Sequence, residues 1–149
     1  MIYSASLILL CLAILPWLIV INNNKWLKHM LLMEHGLSYI TQVRKALEHL
    51  PVHRGMANAF LSGDDSFQEK MNTMQTNIAN DITTVDEYMS GYPLPQTLIS
   101  RWQLIKNNWH SLKTDINSIS PNESFERHTA IISDILSLIS DSADDMRIS

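Results

Sequence analysis

The chain has 149 residues, a formal net charge of −4, 46% hydrophobic and 17% charged side chains. Four Gly, five Pro and one Cys exclude collagen-like, low-complexity and disulfide-built classes. The acidic balance argues against duplex nucleic acid as a partner.

The charge deficit, against the roughly one quarter usual in soluble domains, is local. Residues 2–21, IYSASLILLCLAILPWLIVI, carry no charge, and every charged side chain lies after them. Twenty uncharged residues at about 1.5 Å each span a bilayer core of roughly 30 Å. The sequence therefore predicts a membrane anchor over residues 1–22, in contact with lipid through residues 2–21. Trp17 and Trp26 stand near the expected interfaces. Met1-Ile2-Tyr3 has no basic side chain, and Ile21 to Trp26 offers no small-residue cleavage pattern, so an uncleaved anchor is expected rather than a signal peptide. Taken alone, Lys25 and Lys28 would hold the following domain in the cytoplasm. Cys11 falls inside the anchor and identifies no redox compartment.

Residues 23–149 read as one domain of four helical runs. The first is predicted over about 24–62, continuous with the anchor and kinked at Pro51. Its apolar stripe is Trp26, Met30, Met33, Leu37, Ile40, Val43, Leu47, Leu50, Arg54, Ala57 and Leu61. Gly63 stands where a left-handed residue ends a helix. The second run, about 66–90, has Ser66 and Glu69 at capping-box spacing, and Phe67, Met71, Met74, Ile78, Ile82, Val85 and Met89 as its stripe. Gly91-Tyr92-Pro93-Leu94-Pro95 divides it from a third, about 96–119, striped by Leu98, Trp102, Ile105, Trp109, Leu112, Ile116 and Ile119. Ser120-Pro121-Asn122-Glu123 opens the fourth, about 122–146, with Phe125, His128, Ile132, Ile135, Ile139, Ser142 and Met146 inward. No segment alternates with period two. Short turns between similar lengths predict an all-α fold: an N-terminal transmembrane helix followed by an antiparallel up-down four-helix bundle.

The candidate chemistry sits at the membrane-distal end. Arg54, on the apolar stripe, requires a carboxylate, carbonyls or a bound anion, or must reach the rim. Gly55 beside it would permit close approach of another group. His53, Arg54, Arg127 and His128 are read as converging there, suited to a small anionic ligand with pH-sensitive binding. His49 and His53 have metal-sharing spacing, but Pro51 intervenes and no third ligand is evident, so no metal is expected. No haem attachment, phosphate loop, hydrolytic triad or zinc-helix motif appears, so neither a cofactor nor enzymatic activity is expected.

The stretch Leu47-Glu48-His49-Leu50-Pro51-Val52-His53-Arg54-Gly55-Met56-Ala57-Asn58-Ala59-Phe60-Leu61-Ser62-Gly63 resembles the Arg-Gly helix of nitrate/nitrite-sensing (NIT-type) all-helical domains. Asp64 to Asp86 and Phe125-Glu126-Arg127-His128-Thr129-Ala130-Ile131-Ile132 are similar in pattern. Such domains belong to bacterial chemoreceptors, sensor histidine kinases and diguanylate cyclases. The resemblance implies a ligand-sensing bundle on the periplasmic side of the bacterial inner membrane, with Arg54 as the anion contact. His53 replaces the family's usual acidic residue. The family's second membrane helix and output modules do not follow residue 149, so output is expected through a signalling partner or a homodimer. The alternative expectation is a membrane-tethered interaction or scaffold protein without a ligand.

Overall fold

A computed structural model describes the backbone of residues 2–92 and 94–148, and the side-chain surroundings of 24, 26, 27, 30, 31, 34–92 and 94–142. Four α-helices account for the fold: α1 (Ile2–Leu61), α2 (Gln68–Gly91), α3 (Gln96–Asp115) and α4 (Pro121–Ile148). No strand occurs among the described residues.

Helix α1 is one unbroken helix of 60 residues, roughly 90 Å long at 1.5 Å per residue. It runs through Pro51, which removes one donor from the helical ladder. The expected junction between anchor and bundle at residue 22 therefore lies inside a continuous helix. Among the described residues no helix is long and apolar enough to cross a membrane. The expected anchor, residues 2–21, falls on side chains outside the described set.

The helix ends are chemically specified. Gly63 at φ 102° closes α1, its N–H donating to Phe60 O (2.9 Å) and the Asp64 N–H to Ala59 O (3.1 Å). This is the paired pattern of a left-handed helix stop. The expected cap at Ser66 is displaced. Asp64 accepts from the Ser66 N–H at 3.1 Å and opens a short 3-10 turn, Asp65–Phe67, before α2 begins. Asp64 wins because its carboxylate reaches the N–H two residues on and the Ser66 hydroxyl together. At α4 the expectation stands: Ser120 Oγ accepts from the Glu123 N–H at 3.1 Å, one residue before Pro121. Helix α3 stops earlier than residue 119, at Asp115. Its carbonyl there accepts from both the N–H and hydroxyl of Ser118, at 2.8 Å each.

The core lies along α1, between α4 and α2, and extends to α3 through α4. Trp102, Trp109, Ile105 and Leu112 of α3 are buried, as the spacing predicts. Two inward faces differ from the predicted stripes. On α1 the buried line is Tyr39, Val43, Ala46, Leu50, His53, Ala57, so His53 and not Arg54 faces inward. On α4 it is Ser124, His128, Ile131, Ile135, Leu138, Ser142, while Phe125 is exposed. Both lines keep strict three-and-four spacing, but they run through His53 and Ser124, polar residues that the predicted stripes skip in favour of Arg54 and Phe125.

A polar clamp crosses each seam. His49 Nδ1 donates to Asp81 Oδ2 at 2.6 Å between α1 and α2, and the Tyr88 hydroxyl donates to His35 O at 2.7 Å. Between α2 and α3, Asp86 accepts from the buried Trp102 indole (2.8 Å) and from Lys106 (2.8 and 2.9 Å). Between α3 and α4, Arg101 pairs with Asp141 and donates to Ser137 Oγ at 3.0 Å.

Candidate functional site

The α1–α4 seam carries two successive rungs, residue 53 to 128 and residue 54 to 129. The inner rung is a histidine pair. His53 and His128 are both fully buried, and His53 Nδ1 lies 2.7 Å from His128 Nε2. Trp109 of α3 closes the third side, its ring edge-on to His53 with centroids 5.0 Å apart.

The hydrogens of this pair follow from its partners. His128 Nδ1 is 2.6 Å from Ser124 O. A carbonyl only accepts, so His128 Nδ1 carries the hydrogen. In the neutral ring Nε2 is then a lone pair, and the facing His53 Nδ1 must donate to it. That leaves His53 Nε2 as a bare acceptor, buried and without a partner among the described residues. Both rings are neutral near pH 7. Burial lowers the pKa of His53 from 6.5 to about 3, with His128 and Lys113 adding to the effect. Burial also lowers His128, helped by Arg54 and Arg127 and opposed by the bond to Ser124 O.

The outer rung is Arg54. Its Nη1 donates to Thr129 Oγ1 at 3.0 Å, and its guanidinium lies over the exposed Phe125 ring, 4.6 Å from the centroid. The expectation that Arg54 points into the bundle is corrected: it lies in the partly exposed groove between α1 and α4. Of the arginines that bridge helices, Arg101 and Arg127 are ion-paired. No carboxylate among the described residues pairs with Arg54. Gly55 is exposed with nothing within 4 Å of the position of a Cβ, so no other element approaches it closely.

Arg127 does not join the group. It faces α3, donating to Asp115 Oδ2 and Ser111 Oγ at 2.9 Å each, with Glu123 at 3.6 Å. There it lines an open cavity of about 150 Å³ with Asn108, Ser111, Ala130 and Ile131. Adjacent helical residues point about 100° apart, so Arg127 and His128 serve different seams. Thus His53, His128 and Arg54 share one seam, and Arg127 lies on another.

The apolar stripes place Trp109 in the core but do not show its contact with His53, nor the parts played by Thr129, Ser124 and the acceptor Asp86. Nor do they show two other buried atoms without partners, Tyr39 Oη and Gln42 Oε1. Burial pushes the Tyr39 hydroxyl pKa up to about 12, against a lesser lowering by Arg101. No group of three metal-ligating side chains occurs among the described residues. No family model matches the chain, and comparison with curated proteins and with solved structures returns no match.

Proposed function

We propose that the chain is a membrane-anchored, non-enzymatic sensor bundle of the bacterial inner membrane that takes a small anion at Arg54 on the periplasmic side. The observation that carries this reading is the state of Arg54: a guanidinium with five donors, one of them engaged, and no carboxylate partner among the described residues. Thr129 and Phe125 fix its position without supplying an anionic partner. A planar oxyanion such as nitrate or a carboxylate matches the remaining donors. Arg127 is a poorer contact, since Asp115 and Glu123 already hold it. The resemblance of the Arg54-Gly55 helix to NIT-type domains points the same way.

The two rungs give the ligand a means of action. An anion bound at the 54–129 rung would change how α4 seats on α1, next to the buried histidine pair. Helix α1 runs without a break from this seam to Ile2, so a shift of α1 would pass along one rod towards the proposed anchor. A signalling partner or a second copy is the proposed recipient of that shift.

The test is thermal melting of the full chain in non-ionic detergent against nitrate, nitrite, formate and acetate, at constant ionic strength. A saturable rise in melting temperature with one anion, lost in Arg54→Ala and kept in Arg127→Ala, supports the site. No shift with any of them, or a shift that survives Arg54→Ala, rejects it.

A second reading, a tethered interaction protein, is favoured by one feature. Trp26, Leu27, Met30, Leu31 and Leu37 of α1 are exposed, Trp26 and Leu37 by 64% and 66%. It predicts concentration-dependent association, reduced by Leu37→Glu, with no anion dependence.

A further inference from the structure

The hydrogen-bond chain across α1 and α4 uses every polar ring atom but one. Ser124 O accepts from His128 Nδ1–H, and His128 Nε2 accepts from His53 Nδ1–H. His53 Nε2, fully enclosed, accepts from no group among the described residues. The smallest species that fits a buried lone pair without displacing a side chain is a proton.

We propose that His53 and His128 form an acid-released latch between α1 and α4, with His53 Nε2 as its proton-accepting atom. The inference does not depend on the anion reading.

The steps balance with protons from water alone. The first proton binds His53 Nε2 and leaves the N–H···N bond intact, but it buries an imidazolium. A second has one place to go, His128 Nε2, the atom that accepts from His53. Two N–H groups then face each other across 2.7 Å, and the rung parts.

The surroundings make the charged form unfavourable. The cations acting on the pair are Arg54 of α1, Lys113 of α3 and Arg127 of α4. The acids nearby are engaged elsewhere: Asp81 of α2 by His49, Asp115 of α3 and Glu123 of α4 by Arg127. No carboxylate among the described residues pairs with either ring. The third side is the indole of Trp109.

The sign follows from linkage. In the unfolded chain both histidines titrate near 6.5, and in the fold both titrate lower. The unfolded state therefore binds more protons below about pH 6.5, and stability falls as the pH falls. With the folded His53 at about 3, His53 alone lowers the folded-to-unfolded ratio about 30-fold between pH 8 and pH 5. The α1–α2 seam instead pairs its histidine, His49, with the carboxylate of Asp81, so the histidine–histidine contact belongs to α1 and α4 alone among the described residues.

The test uses the full chain in non-ionic detergent, labelled with ¹⁵N-histidine and assigned with His53→Leu and His128→Leu. At pH 7.5 both rings should show the Nδ1–H tautomer. His53 should stay neutral to well below pH 6.5, while the folded-to-unfolded ratio falls at least about 30-fold by pH 5. The double variant His53→Leu/His128→Leu should lose most of that acid sensitivity. An Nε2–H tautomer at either ring, titration of His53 near 6.5, or equal acid loss in a folded double variant overturns the proposal. Should the double variant not fold, the tautomers and the titration of the native protein decide it.

Discussion

Replacing the two histidines one at a time, at pH 7.5, should give unequal costs. His128→Leu removes the acceptor of the His53 N–H. Either neutral tautomer of His53 then holds a buried, unpaired donor, which costs about 1–3 kcal/mol. His53→Leu removes the donor to His128 Nε2, so one bond worth about 1 kcal/mol is lost. Yet it also removes the orphaned His53 Nε2, and the count of unpaired acceptors is unchanged. A leucine of similar volume gains apolar burial there, bringing the expected cost to about 0–1 kcal/mol. The double leucine variant leaves neither orphan and should lie within about 1 kcal/mol of the native protein. The pair should then couple by about 1–3 kcal/mol relative to the sum of the singles. Urea unfolding followed by far-UV circular dichroism measures all four corners, provided the slopes agree. Equal costs for the two single variants, or costs that simply add, would refute the assigned direction of the hydrogen bond.

Three further substitutions probe the frame around the site. Asp86→Ala should cost about 2–3 kcal/mol in urea unfolding, because it strands the buried Trp102 indole N–H as well as Lys106; Trp102→Phe should abolish most of that effect. Ser120→Ala should cost about 1 kcal/mol through loss of the α4 cap, seen as a lower melting temperature. Gly55→Ala should stabilise by about 0.5–1 kcal/mol, since the helical site is open, whereas Gly63→Ala should destabilise, since its φ of 102° suits glycine alone; opposite shifts in melting temperature check both.

Local patterning determined most of the frame. Helix α3 repeats its apolar residues at unbroken three-and-four spacing, and the buried face follows it from Leu98 to Ile116. The Gly63 stop and the Ser120 cap need only neighbouring atoms, so they are readable in the chain. The phase of α1 and α4 is not. A histidine or serine scores as polar, and its burial depends on a partner that arrives from far along the chain. His53 is buried because His128, 75 residues away, supplies the matching atom. Without that partner in view, the pattern assigns the inward place to Arg54 and Phe125, each one residue further on. The same limit misplaced Arg127: sharing an end of the bundle with Arg54 does not mean sharing a seam.

The claim that an anion binds Arg54 is tested most directly by side-chain NMR of the full chain labelled with ¹⁵N-arginine. Titration with the anion that raises the melting temperature, nitrate being the first to try, should shift the Arg54 guanidinium resonances saturably. Those of Arg101 and Arg127, held by their carboxylates, should stay in place. Movement at Arg127 instead, or no saturable movement at Arg54 with any of the four anions, would contradict the account.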